Sequence, residues 1–286
     1  SANIMFDLEE RELQELANSV IEWVDVDLES RSDWEQRMEQ GMELLGLNNV
    51  PMEELPFDGA SAVTYPLIGE AVVQFQSRAI EEVFPSEGPV KVKLVGEITQ
   101  EKTDQAERVK NHMNYQILDQ DRSYFWNVDQ MLFYLPLGGS AFKKTYYDPI
   151  SEMVVSRFVK SPDFIVPYIA TDLASSPRYT HRMYKNHTEM KKLFASGFWE
   201  GFDLPKVTPY STDTLDDRDR HHQDQADSRS ADVHTEDSVY TCYECHCDLE
   251  LDIDAERYGR DAPMPYIVTV ERESRNIMSI RRNWKE

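Results

Sequence analysis

The chain has 286 residues, of which 40% are hydrophobic and 11% aromatic, which is enough for one large domain or two smaller ones with their own cores. Its formal net charge of -23 excludes an ordinary nucleic-acid binder, because such proteins neutralise phosphates with clustered Lys and Arg. The sequence offers neither a signal peptide nor an apolar run near the roughly 18 residues of a membrane span, and its three Cys indicate a reducing compartment.

Two helices are predicted near the start of the chain. Apolar residues recur at helical spacing over 6–28, with charged residues between them. A second helix is predicted over 33–45, where Ser32 and Glu35 have the spacing of a capping box. Both segments therefore present one apolar face for packing.

A third helix is predicted from Pro66 to Phe84, because Pro suits the first turn of a helix and Pro85 ends it. Its apolar positions cover more than one side, which favours burial in the core over exposure at an interface. The FDGAS stretch at 57–61 contains Asp-Gly, which marks a tight turn before this helix.

Helices and strands are mixed in the middle of the chain. Further helices are predicted over 99–118, 128–135 and 186–195, the last with Asn186 and Glu189 as a capping box. Strands are predicted over 90–95, 141–147, 153–159, 164–168, 179–184, 239–253, 266–270 and 277–280. Helices followed by mixed short strands predict an α+β fold rather than a regular βαβ alternation.

Composition divides the chain into three ranges. Residues 1–205 form an α+β domain, and residues 238–286 form a small strand-rich region. Residues 206–237 between them are dominated by Asp, Arg, Gln, His and Ser, which indicates an acidic flexible linker or insert.

A cysteine-rich motif lies on the strand predicted over 239–253. The run Cys242-Tyr243-Glu244-Cys245-His246 fits the pattern of haem attachment, and Cys247 adds a possible zinc ligand. Side chains alternate between the two faces of a strand, so Cys242 and His246 point away from Cys245 and Cys247. Packed thiols are therefore predicted here, with neither a metal nor a haem.

Other chemistry is weakly indicated. The acidic segment contains side chains of the kind that bind metals, but in a solvated segment, namely His221, His222, Asp224, Asp227 and His234. The sequence contains no Walker A loop and none of the common hydrolase motifs, so neither catalysis nor a cofactor is expected. A hydrolase that uses carboxylates and a metal remains the least favoured alternative.

Two tight basic pairs lie in strand-like segments. They are Lys143-Lys144 and Arg281-Arg282. Cations in an acidic chain either pair with the excess acid or contact an anionic partner. These four residues are the candidates for contact with DNA or a partner protein.

Several stretches, in their order along the chain, resemble the portal proteins of short-tailed bacteriophages. The most characteristic are FDGAS at 57–61 with the helix that follows it, and LGGSAFKK at 137–144. Further similar stretches are 104–109, 113–116, 131–136, 147–149, 163–168, 170–173 and 266–284. The resemblance covers residues 50–205 and the last fifty residues.

The resemblance implies a structural subunit of a homo-oligomeric, usually dodecameric, ring at one vertex of the capsid. Double-stranded DNA passes through such a ring without sequence-specific binding. Terminase, head-completion and tail adaptor proteins, scaffold and capsid protein are the implied partners, and terminase supplies the ATP hydrolysis. The implied location is the virion, and the host cytoplasm during assembly.

By the same resemblance, residues 1–205 correspond to the portal wing, residues 238–286 lie at or near the clip, and the chain is the N-terminal part of such a protein. The negative charge suits a conduit that must not hold DNA, because each cation on the wall adds attraction to phosphate. An adaptor or tail-assembly protein without a channel is the principal alternative.

Overall fold

The computed structural model describes residues 3–45, 65–148, 151–204, 239–251 and 262–284. The fold is α+β, as predicted, with helices predominating in the first half and antiparallel strands in the second. The chain forms two compact units. Unit 1 comprises Ser1–Glu39 and Pro162–Glu286, and unit 2 comprises Gln40–Ser161. This division differs from the division by composition, because strands from before and after residues 206–237 share one sheet.

The helices follow the predicted order. They are α1 Glu10–Ser30, α2 Ser32–Glu43, α3 Leu67–Val83, α4 Gln100–Tyr115, α5 Tyr124–Gly138 and α6 His187–Ala195. The capping box of Asn186 and Glu189 at α6 is confirmed. The one proposed for Ser32 is not, because the Arg31 carbonyl accepts the first bonds of α2 and Ser32 lies inside the helix. None of the described helices is long and apolar enough to cross a membrane.

Seven strands form two antiparallel sheets in the described part of the chain. They are β1 Phe142–Asp148, β2 Met153–Val159, β3 Phe164–Ile165, β4 Arg178–Asn186, β5 Val239–Leu249, β6 Met264–Glu271 and β7 Ile277–Arg282. The predicted strand over 90–95 is wrong, because no described strand lies beside it to form a ladder. The predicted turn at 57–61 and the acidic segment at 206–237 lie outside the described residues.

Unit 1 is built on a five-stranded sheet with the order β3-β4-β5-β6-β7. Val20 and Val24 of α1 pack on one face, against Tyr243 and Val268. The opposite face packs against α6, with Met190 in a second cluster of buried side chains. The alternation of side chains along β5 supplies both cores.

The edges of this sheet are covered by non-strand segments. The Ile4 amide donates to the Ile280 carbonyl at 2.9 Å, and the Asn3 side chain accepts from the Ile280 amide at 2.9 Å. At the other edge, the Arg31 guanidinium donates to the Phe164 carbonyl at 3.0 Å. Covered edges do not offer a template for pairing with another strand.

A buried ion pair joins α1 to the sheet of unit 1. Arg178 donates from Nε and Nη2 to the two carboxylate oxygens of Asp27, at 2.9 and 2.7 Å. Asp27 is 3% exposed. The hydrogen bond with Asp27 raises the pKa of Arg178. The Arg178 guanidinium also lies 5.5 Å from the centre of the Trp23 ring. Both charges are therefore satisfied within the unit.

Unit 2 contains a small core formed by α3, α5 and the β1–β2 hairpin. Val72 of α3 and Val128 of α5 are buried there. The hairpin is attached through its backbone, because Asp121 Oδ2 accepts from the Ser156 amide at 3.2 Å and Asn127 Oδ1 accepts from the Phe158 amide at 2.8 Å. The sequence prediction of this hairpin is confirmed.

Candidate functional site

The expectation that α3 is buried on more than one side is wrong. Val72 is its one buried residue, whereas Leu67, Val73 and Phe75 are 65%, 52% and 42% exposed. The helix packs against α5 along a single face, where Gln76 Nε2 donates to Asp129 Oδ1 at 2.8 Å. Apolar side chains of α3 that were predicted to lie in the core therefore face solvent in the single chain.

The exposed side of α3 forms an open groove of about 470 Å³. One row of its lining is apolar and combines Phe75 with two small residues, Ala71 and Ala79. A parallel row is polar, with Gln74, Arg78 and Glu82 one helical turn apart from each other. Aromatic side chains are enriched in the centre of protein interfaces and polar side chains at their rim, so this surface is suited to a protein partner.

The two units differ in how they distribute apolar side chains. Among the residues that the structure describes, most of the large apolar side chains that are buried belong to unit 1, and most of those that are exposed belong to unit 2. Single exposed apolar residues are normal, but surfaces that carry many of them mark sites of protein interaction. Unit 2 is therefore the candidate interaction region of the chain.

The basic pair of β1 lies in unit 2. Lys143 donates to the Tyr124 hydroxyl at 2.8 Å, and its ammonium lies 4.3 Å from the centre of that ring. Lys144 lies 5.3 Å from the centre of the Tyr146 ring, and Arg157 is its cross-strand neighbour. Consecutive side chains of a strand point to opposite faces, so Lys143 and Lys144 can each contact an anionic group but do not form one cationic surface.

The basic pair of β7 lies in unit 1. Arg281 Nη2 donates to the Phe198 carbonyl at 2.6 Å, and the guanidinium lies 4.3 Å from the centre of the Phe198 ring. Burial lowers the pKa of Arg281. Arg282 lies 5.9 Å from the centre of the Trp284 ring. Arg281 and Arg282 thus hold packing positions in unit 1, in addition to any contact with a partner.

The cysteine-rich strand carries packed thiols, with the geometry that the alternation predicts. Cys242 lies in the cluster beside α6, where its sulfur is 3.9 Å from that of Met190. Cys245 and Cys247 lie in the other cluster, on the α1 side of the sheet. No three His, Cys, Asp or Glu side chains within the described ranges could hold a metal ion together. The metal-type residues at 221–234 lie outside those ranges.

These thiols are expected to be unreactive in the folded protein, because all three are buried and a reagent cannot reach them. This holds for Cys245 although its hydrogen bond with Cys247 lowers its pKa. Burial raises the pKa of Cys242 far above its ordinary value, so the nucleophilic thiolate is scarce. We expect an aromatic disulfide reagent to leave Cys242, Cys245 and Cys247 unmodified in native buffer and to modify all three in denaturant. Rapid native labelling of Cys242, located by peptide mass spectrometry, would contradict this assignment.

No family model matches the chain, and a search of curated proteins finds no match at a significant level.

The structure defines an α+β protein with one well-packed unit and one unit rich in exposed apolar surface. The two basic pairs are evident in the sequence, whereas the exposure of one side of α3 is not. The apolar positions of α3 extend around a wide part of the helix. This indicates that another surface must cover them, but it does not indicate whether that surface belongs to the same chain.

Proposed function

We propose that this protein is a subunit of a bacteriophage portal ring, the homo-oligomeric channel through which viral DNA enters and leaves the capsid. The observation that carries the proposal is the apolar surface of unit 2, above all the exposed side of α3. A ring is closed by heterologous contacts, in which one surface of each subunit meets a different surface of the next. A subunit of this kind exposes in isolation the apolar side chains that its neighbours cover.

Two further features support the same proposal. The stretches at 57–76 and 131–144 resemble those of short-tailed phage portals, and they include most of α3 and the end of α5. The net charge of -23 disfavours tight retention of DNA, as a conduit requires. In this proposal the subunit is non-enzymatic, and terminase, adaptor, scaffold and capsid proteins are its partners.

Native mass measured over a range of protein concentrations tests the proposal. We expect reversible self-association into a closed ring with an open centre, visible by electron microscopy in face-on views. We also expect weak binding of double-stranded DNA at physiological salt. A monomer at every concentration, with or without scaffold protein, would overturn the portal assignment and favour an adaptor without a channel.

A further inference from the structure

Residues 88–118 of unit 2, which we call the arm, combine an irregular segment with α4. Asn114 fastens one end of the segment, because its side-chain oxygen accepts from the Val90 amide at 2.9 Å and its amide nitrogen lies 3.4 Å from the Val90 carbonyl oxygen. Lys102 fastens the other end by donating to the Glu97 carbonyl at 2.9 Å. Residues 90–97 are therefore held at both ends by α4.

The arm is poorly covered by the rest of the chain. No residue of α4 is buried. Its partly covered positions include Ala106, Lys110 and Asn114, whereas the more apolar Val109 and Met113 face solvent. The exposed large apolar side chains of the arm are Val92, Val95, Ile98, Val109, Met113, Tyr115 and Leu118. A helix of this length owes its stability mainly to a packed apolar face, so its exposed face is suited to a partner.

Residues 91–95 have the amino-acid composition of a β-strand, but they do not pair with a described strand. Its sequence, KVKLV, is rich in β-branched residues and alternates with Lys. It forms no ladder with any described strand. Extended segments commonly bind another chain by adding a strand to an exposed sheet edge. Both edges of the five-stranded sheet are covered, so a second chain is expected to cover the side chains of residues 91–95 instead.

The charge of the arm indicates which surface it fits. Lys and Arg at least balance Asp and Glu within residues 88–118, although the whole chain has a net charge of -23. Lys91 and Lys93 lie on the exposed segment itself. Both charged residues of the segment at 91–95 are Lys, so this segment is complementary to the acidic surface of another copy of the same chain, whereas two acidic surfaces repel each other.

We propose that the arm docks on an acidic surface of a neighbouring copy of this chain, which covers residues 91–95. This inference rests on the proposed ring and identifies one of its two contact surfaces. The arm meets a different surface of the neighbour, which is the heterologous contact that a ring requires. Lys91 and Lys93 steer the contact, and Val92 and Val95 contribute apolar area.

The decisive experiment combines charge reversal with hydrogen exchange in the full chain. We expect the K91E/K93E variant to weaken self-association at least about tenfold, since like charges then face each other at the contact. The matched control is K191E/K192E, which makes the same charge change on exposed positions of α6 in unit 1. The control should change the association constant less than about twofold. Circular dichroism confirms that both variants fold.

Hydrogen exchange separates the arm from the ring proposal. We expect the amides of residues 91–95 to exchange quickly in dilute monomer and to become protected when the native mass increases. Rings that leave these amides unprotected would overturn the arm contact and leave the portal proposal standing. Equal weakening in both charge variants would also overturn the arm contact, because it would reveal only general electrostatics. A protein that never associates would overturn both proposals.

Discussion

Replacing Asp27 with Ala is expected to lower the free energy of unfolding by about 2–3 kcal/mol, because the two charge-assisted hydrogen bonds are lost while Arg178, whose side chain is 22% exposed, regains some hydration. Asp27 lies on α1 and is 3% exposed, and it accepts two hydrogen bonds from Arg178 of β4. Without the carboxylate, the guanidinium loses both bonds in a partly desolvated position. The loss falls on the contact between α1 and the sheet of unit 1.

Denaturation in urea, followed by tryptophan fluorescence to which nearby Trp23 contributes, measures this effect. Asp25 supplies the matched control, because it is an exposed carboxylate on the same helix. D25A should change the free energy of unfolding by less than about 0.5 kcal/mol. Similar losses in D25A and D27A would show that helix charge, rather than the pair with Arg178, dominates.

Replacing Phe75 with Ser is expected to weaken self-association at least about tenfold and to lower the free energy of unfolding by about 1–2 kcal/mol. Phe75 is 42% exposed and lies in the groove of α3 between Ala71 and Ala79. The 42% of Phe75 that is still exposed leaves the water only when a partner covers it, whereas the rest is already covered within the chain. Both association and folding therefore depend on this side chain.

Val72 provides the comparison on the same helix. It is 3% exposed, so V72A should lower the free energy of unfolding by about 2 kcal/mol through lost packing. The folded fraction of V72A should associate normally. Native mass and denaturation curves for the two variants separate the exposed side of α3 from its buried side. A large loss of stability in F75S would instead support the core position that its sequence indicates.

The two sets of association variants are complementary. F75S alters the groove of α3, and K91E/K93E alters the arm, while both lie in unit 2. Weakening by F75S alone would place the subunit contact on α3 and exclude the arm from it. Weakening by both would show that two surfaces of unit 2 contribute to assembly.

Sequence patterns determined the elements whose cause is local. The capping box at α6 needs only Asn186 and Glu189, three residues apart. The β6–β7 hairpin joins neighbouring segments, and the two-residue period of β5 assigned Cys242 and Cys245 to opposite cores. These features depend on backbone geometry within a few residues, which is why the α+β class and the order of elements could be predicted.

Only the tertiary structure decided which surfaces find partners within the chain. Alternation at 90–95 indicates a strand, but a ladder requires a neighbour that no local pattern specifies. The wide apolar surface of α3 indicates that it packs against another surface. In the fold, α5 packs against one side of α3 only, so Phe75 remains partly exposed to solvent. Asp27 and Arg178 are 151 residues apart in sequence, and the fold brings them together. Pairing of residues so far apart in sequence depends on the energy of the whole fold, which cannot be inferred from the local periodicity of the sequence.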